Sequence, residues 1–237
     1  MTNKGFTDDS LSLSARLLLY EKVVLPRLFY GAELLCGDGE ALARLDRAQR
    51  EILSTILDLR KDTPTRWVLW EAGVYSASTT ADLQALRLWW KLQKKPSLDH
   101  SAFQHVHKTL QLGGDLSTSF FHKLFLDVLT RWGLLSWTEK TLPSKSKWSK
   151  ILLKAAATLE TKSFHTWTQT HRRARLWDYW GLKRSLPPDR ALLGIDDRVK
   201  RTLLLRARAN ALGLSGDISW RSTHLVPPSC LYCGLLS

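Results

Sequence analysis

Basic side chains in the second half of the chain are the residues whose type and spacing could do chemistry, because Lys and Arg bind phosphate. The chain carries 35 Lys+Arg and 22 Asp+Glu, a net charge of +13. Residues 101–237 hold +12 of that charge and residues 1–100 hold +1. This asymmetry favours a polyanionic partner, RNA or DNA, whose backbone is bound without its sequence being read. The predicted contacts are Lys145, Lys147, Lys150, Lys154, Arg172, Arg173, Arg175, Lys183, Arg184, Lys200, Arg201, Arg206 and Arg208.

Tryptophans lie among these basic residues, and a Trp beside Arg can stack on an unpaired base. The alternation of Arg and Trp over residues 172–180 is the best instance. The alternative stays open that such tryptophans form the apolar face of amphipathic helices and that the charges only keep an exposed face soluble. Trp67 and Trp70, three residues apart, are expected in a core.

Cysteine spacing indicates a zinc site that is incomplete. Cys230 and Cys233 form a Cys-x-x-Cys pair, whereas structural zinc takes four tetrahedral ligands. The other candidates, His224 and Cys36, lie upstream of the pair. We therefore expect two free thiols, no bound zinc and no other cofactor. Three cysteines in 237 residues also favour a reducing, intracellular location, nucleus or cytoplasm, over a disulfide scaffold.

Catalytic motifs are missing from the sequence. It contains no Gly-x-x-x-x-Gly-Lys phosphate loop and no Gly-x-Ser-x-Gly nucleophile turn. The acidic pairs Asp8-Asp9 and Asp196-Asp197 fit capping or solvated positions better than metal ligation. The histidines near residue 100 have no Cys or Glu nearby to complete a ligand set. The sequence thus predicts a protein that is not an enzyme.

The elements that position these residues have helical periodicity nearly throughout, which predicts a mainly α fold. Asp9 or Ser10 is expected to cap a first helix that reaches residue 35, and Pro26 is expected to kink it or split it in two. Thr63 is expected to cap a short helix that ends at Gly73. No apolar run reaches the ~18 residues that a membrane helix needs. Further helices are predicted over 40–59, 78–94, 99–111, 117–132, 144–160 and 189–212, with a basic amphipathic stretch over 161–183.

The N-terminal part of the chain contains an ordered set of motifs that resembles the region after the catalytic palm in reverse transcriptases of non-LTR retrotransposons. That family pattern joins a Tyr, a Val-x-Pro and Tyr-Gly-Ala-Glu to a Leu-rich helix with Gln-Arg, then Thr-Pro and Glu-x-Gly. The resemblance covers residues 11–95 and implies a helical, thumb-like unit. The matching residues are Tyr20, Val24, Pro26, Tyr30, Gly31, Ala32, Glu33, Leu45, Gln49, Arg50, Thr63, Pro64, Glu71, Ala72 and Gly73.

The C-terminal part of the chain also resembles that family, whose members end with a basic helical linker, a Leu-Arg-rich helix and a zinc knuckle. Residues 204–208 and the Cys230-x-x-Cys233 pair match the last two elements. The remaining ligands of such a knuckle would follow Ser237. The Tyr-x-Asp-Asp turn that holds the catalytic metals of the family is missing from this sequence.

The sequence therefore predicts a thumb-like helical unit over 1–95, a basic helical linker over 96–222 and a truncated Cys-x-x-Cys knuckle over 223–237. The predicted function is that of a retrotransposon reverse transcriptase fragment, without polymerase activity, that binds RNA or DNA non-specifically. A missing polymerase core is a further possible partner, and a membrane is not. Two alternatives stay open: a helical protein-interaction module, and a decayed reading frame without selected function.

Overall fold

Helices make up all the regular structure that the computed structural model describes, namely residues 11–59, 63–94, 120–138, 140–170, 195 and 197–208. No strand occurs in those ranges, so the prediction of a mainly α fold is confirmed. The helices are α1 Leu13–Leu19, α2 Leu25–Leu28, α3 Gly39–Ile56, α4 Thr65–Ala72, α5 Ala77–Lys94, α6 Phe120–Arg131, α7 Lys145–Thr170 and α8 Arg198–Arg208.

Pro26 interrupts the first helical stretch, as predicted. A π-helical segment, Tyr20–Val24, separates α1 from α2, and the Leu25 N–H donates to the carbonyl five residues back at Tyr20. Proline has no N–H to continue the regular ladder, and the wider π turn absorbs the break just before it. The chain then forms a 3₁₀ turn over Ala32–Leu35. The cap of α1 is Ser12, whose hydroxyl accepts from the Ala15 N–H, so the prediction of Asp9 or Ser10 is wrong.

The predicted cap of α4 is also wrong. Pro64, in an extended conformation, is the N-cap, and the Thr63 hydroxyl is buried without a hydrogen-bond partner among the described residues. The C-terminal end of α4 is as predicted. Gly73 adopts φ 70°, and the N–H groups of Gly73 and Val74 donate to carbonyls in the last turn of α4.

Helix α7 runs ten residues beyond the predicted end at 160. Residues 161–170 contain no Gly or Pro that would stop the helix, and its buried stripe continues to Thr168. The predicted helix over 117–132 is present as α6. Only the stretch Arg198–Arg208 of the predicted helix over 189–212 lies in a described helix, and the predicted helix over 99–111 lies outside the described residues.

The chain folds into two compact units, each built from separate stretches of sequence. The first unit comprises Met1–Leu25, Arg47–Val74 and Ser163–Ser237. Its core contains Leu53, Ile56 and Val68, and Phe164 stacks on Trp70 with ring centroids 4.2 Å apart. Trp67 and Trp70 are both buried, which confirms their predicted core role. The buried Tyr20 hydroxyl donates to Gln49 Oε1 at 2.8 Å and so ties the first helical stretch to α3.

The second unit comprises Pro26–Asp46 and Tyr75–Lys162. Leu86, Val128, Leu129 and Leu152 are fully buried, and they bring α5, α6 and α7 together. Trp148 of α7 is also buried, and its Nε1 donates to the Leu86 carbonyl at 3.3 Å. The predicted boundaries at 95/96 and 222/223 lie outside the described residues.

Gly133 ends α6 in the second unit and is expected to resist replacement by alanine. It adopts φ 65°, and the Leu134 N–H donates to the Leu129 carbonyl in the same turn. A Cβ at Gly133 would meet no atom within 4 Å, so the cost of Gly133→Ala comes from the backbone alone. We expect about 1 to 2 kcal/mol lost from the free energy of unfolding, measured by urea denaturation.

Gly39→Ala is the matched control for Gly133→Ala in the same unit. Gly39 begins α3 in an ordinary helical conformation, and a Cβ there also meets no atom within 4 Å. This change should leave stability unaltered or raise it by up to about 1 kcal/mol. Equal effects of the two substitutions would contradict the role of the left-handed turn.

Candidate nucleic-acid interface

Three of the predicted phosphate contacts form a continuous exposed face on α7, which we call the lysine face: Lys147, Lys150 and Lys154. The helix turns by about 100° per residue, so spacings of three and four place these side chains on one side. Lys145, at the first helical position, is exposed on a different side. All three members of the lysine face are exposed. The predicted grouping of these lysines on one side of a helix is therefore present, and their contact with phosphate stays a prediction.

A buried stripe on the same helix holds the lysine face outward. Trp148, Leu152, Ala156 and Glu160 recur every four residues and are all buried. The Ser144 carbonyl accepts from the Trp148 N–H at 2.9 Å, which secures the first turn. Burial of the stripe leaves the lysines only the solvent side of α7.

No acidic side chain in the described part of the chain pairs with the lysine face. Glu160 is the one acidic residue in the sequence of α7, and it is buried, where it accepts hydrogen bonds from the Ser76 hydroxyl and, at 2.9 Å, from the Ser76 N–H. Within the described ranges, no ion pair involves Lys147, Lys150 or Lys154. A cluster of unpaired cations attracts phosphate and releases counterions when it binds.

The predicted contacts on α8 have different surroundings. Arg201 is only 5% exposed, and its Nη1 donates to the Ile195 carbonyl at 2.9 Å, so little of its guanidinium faces solvent. Lys200 is exposed and lies 3.8 Å from the Asp197 carboxylate. Neighbouring Arg198 forms a bidentate pair with Asp58 at 2.7 and 3.0 Å. Arg206 and Arg208 belong to α8, and their side chains are not among the described groups.

The remaining predicted site residues lie outside the described residues. They are Arg172, Arg173, Arg175, Lys183, Arg184, Cys230 and Cys233. In the parts of the chain that the structure describes, no group of three or more His, Cys, Asp or Glu side chains could hold a metal ion. No helix in those parts is both long and apolar enough to cross a membrane.

An aromatic cleft beside the start of α7 was missed by sequence reasoning. We call it the tryptophan cleft. Its volume is about 250 Å³, and its lining residues are Trp89, Gln93, Lys94, Trp137, Thr138, Lys140 and Leu142. Trp89 and Trp137 both contact Trp148, with ring centroids 5.7 and 6.0 Å apart. The short spacing of Trp137 and Lys140 in the sequence could have indicated one side of the cleft. It could not have indicated the other side, because α5 contributes that side from a distant segment.

No protein-family model, curated protein or solved structure matches this chain. The chemistry of the site therefore rests on its own residues. An exposed row of lysines and an aromatic cleft with two more lysines can bind phosphates and bases.

A buried polar cluster in the second unit also brings titratable residues together. The Asp82 carboxylate accepts from Arg131 Nη2 at 2.8 Å and from Trp132 Nε1 at 2.9 Å. Burial, and then the neighbouring Asp82, raise the pKa of the Cys36 thiol to about 12. At neutral pH such a thiol carries almost no thiolate, which is the nucleophilic form of cysteine.

Proposed function

We propose that the chain is a helical nucleic-acid-binding fragment that binds RNA or DNA phosphates non-specifically through the lysine face and carries out no catalysis. The observation that carries this proposal is the charge on α7: three exposed lysines on one side that no described acidic residue pairs with, and the one acid in the sequence of the helix buried. Phosphate contacts of this kind position a nucleic acid without reading its bases.

The proposed origin is the post-catalytic, thumb-like region of a non-LTR retrotransposon reverse transcriptase. This origin rests on the ordered motifs between Tyr20 and Gly73. The hydrogen bond from Tyr20 to Gln49 joins the Tyr motif to the Gln-Arg helix, which supports the view that these motifs belong together. In that context a missing polymerase core is a further partner. The free, buried thiol of Cys36 supports a reducing, intracellular location.

Replacing the lysine face with glutamine tests the proposal. For Lys147→Gln, Lys150→Gln and Lys154→Gln combined, we expect RNA affinity at 50 mM salt to fall roughly 10- to 100-fold. The slope of log affinity against log salt should become shallower by about 2, since each lost single-strand contact removes about 0.7. Fluorescence anisotropy with a labelled single-stranded RNA, over a salt series, measures both quantities.

A triple variant with the same loss of charge serves as the control. Lys22, Arg44 and Lys123 are exposed and lie outside α7, and the first two are already paired with Glu21 and Glu40. Their replacement by glutamine should weaken binding no more than about threefold, as expected for long-range charge alone. A flat salt response of the wild-type protein, or equal losses in the two triple variants, would remove the proposal.

A protein-interaction role is the second candidate. Leu18, Leu19 and Val23 of the first unit are each more than 40% exposed. Adjacent exposed apolar side chains on one helical stretch are typical of a surface that packs on another protein. Sedimentation that shows self-association, together with no RNA binding at low salt, would favour this candidate over the first.

A further inference from the structure

We propose that the tryptophan cleft binds one unpaired nucleotide, with the base stacked on Trp137 and its phosphate held by Lys94 and Lys140. The inference rests on the proposed function and deepens it, because it adds a preference for single strands to a surface that otherwise binds any phosphate backbone. The chemical class of ligand is a nucleotide in single-stranded RNA or DNA.

The two tryptophans that line the cleft are held in place before any ligand binds. Trp137 ends the 3₁₀ turn Leu135–Trp137, is half-buried, and meets the Trp148 ring edge-on at an interplanar angle of 74°. Trp89 is buried and packs on the same Trp148 at 45°. A ring fixed by buried neighbours loses little conformational entropy when a base stacks on it.

Two lysines of the cleft, Lys94 and Lys140, can bind the phosphate that is attached to a stacked base. The Lys140 Nζ lies 5.7 Å from the centre of the Trp137 ring, and both Lys94 and Lys140 are exposed. Neither lysine is ion-paired within the described ranges, and none of the described lining residues is acidic. The exposed Lys140 ammonium is held only by the half-buried Trp137 ring and by the Ser136 hydroxyl at 3.5 Å among the described residues, so it can move to bind a phosphate while a base stacks on Trp137.

The size and the polar groups of the cleft suit a single base. Its volume of about 250 Å³ is below the ~300 to 1,000 Å³ that drug-sized ligands occupy. Gln93 and Thr138 supply an amide and a hydroxyl at the rim, which can bond the edges of any base. A duplex keeps its bases paired and stacked, so it cannot place one in the cleft without local opening.

Trp137→Leu tests the inference in the full chain. The probes are a labelled twelve-nucleotide oligouridine RNA, the equivalent oligothymidine DNA, and an RNA hairpin with the same number of phosphates whose loop is a non-nucleotide linker, so that it has no unpaired base. We expect single-strand affinity to fall about 5- to 150-fold, hairpin affinity to change less than about twofold, and the salt slope to stay unchanged, because stacking involves no phosphate. Similar losses for the RNA and DNA single strands would show that the sugar is not read.

Trp137→Phe is the control for a loss of affinity that is caused by altered packing against Trp148. Phenylalanine keeps an aromatic face against Trp148, and it should retain single-strand affinity within about threefold while Trp137→Leu does not. Photocrosslinking of 4-thiouridine RNA to the wild-type protein should label the peptide that contains Trp137. Loss of hairpin and single-strand binding in equal measure, wild-type affinity of Trp137→Leu, or a crosslink elsewhere would each overturn the inference.

The two proposals fail separately in these experiments. If the wild-type protein binds none of the three probes at 50 mM salt, the proposed function fails, and the cleft inference fails with it. If the wild-type protein binds RNA with a steep salt slope and Trp137→Leu binds equally well, only the cleft inference fails.

Discussion

Trp148→Ala is expected to lower the free energy of unfolding of the second unit by about 3 to 5 kcal/mol, the range for removal of a buried aromatic ring. Trp148 is 2% exposed, touches the rings of Trp89 and Trp137, and hydrogen-bonds the Leu86 carbonyl. Its removal leaves a cavity where α5, α7 and the 3₁₀ turn at Trp137 meet. Chemical denaturation followed by far-UV circular dichroism measures the change.

Leu153→Ala is the control on the same helix. Leu153 is 43% exposed, so its truncation should cost about 0.5 kcal/mol or less. Trp148→Phe should fall between the two, since it keeps one ring but loses the indole hydrogen bond. Similar losses for Trp148→Ala and Leu153→Ala would show that Trp148 does not pack as described.

Asp82→Leu is expected to cost about 2 to 3 kcal/mol, because a buried donor would lose its acceptor. Asp82 is 4% exposed and accepts from both Arg131 and Trp132. Trp132 is buried, so its indole N–H would have no water in place of the carboxylate, whereas half-exposed Arg131 can turn to solvent. The same denaturation experiment measures the loss. An effect below about 0.5 kcal/mol would contradict the buried hydrogen bond.

The pH dependence of the Asp82 contribution has a definite sign. Burial raises the pKa of the carboxyl above its ordinary value of 3.8, and the hydrogen bond from Trp132 and the charge of Arg131 only partly offset this. A folded-state pKa above the unfolded one means that the contribution is full below about pH 4 and is lost as the pH rises through the folded pKa.

Asp82→Asn isolates that titration because asparagine does not ionise. The free energy of unfolding of wild type minus that of Asp82→Asn should be largest at low pH and should fall as the pH rises above 4. A difference that grows with pH would show that the folded protein lowers the pKa of Asp82.

Much of the secondary structure followed from local signals in the sequence. Pro26 predicted a break, Gly73 a helix end, and the apolar spacing of residues 78–94 a helix that the structure places at Ala77–Lys94. The errors were local too. The N-cap of α4 is Pro64 and not the predicted Thr63. Helix α7 extends past the predicted end at residue 160, because its length follows its buried stripe and not a stop signal.

The candidate site was only partly predictable. Spacing alone placed Lys147, Lys150 and Lys154 on one face, because helical geometry relates neighbours three and four residues apart. It did not distinguish them from Arg201, which is buried and bonded to Ile195. Charge in a sequence does not show which basic residues already have a partner in the fold.

By itself, the sequence determined the helical class, the basic second half and the exposed lysine spacing, all of which depend on composition or on residues within one or two turns. Only the tertiary structure decided that Lys94 of α5 lines the same cleft as Lys140, and that Asp82 meets Trp132. The physical reason is that burial of apolar area drives helices together without direction. Which faces meet depends on how side chains from distant segments pack, and the tryptophan cleft is a product of that packing.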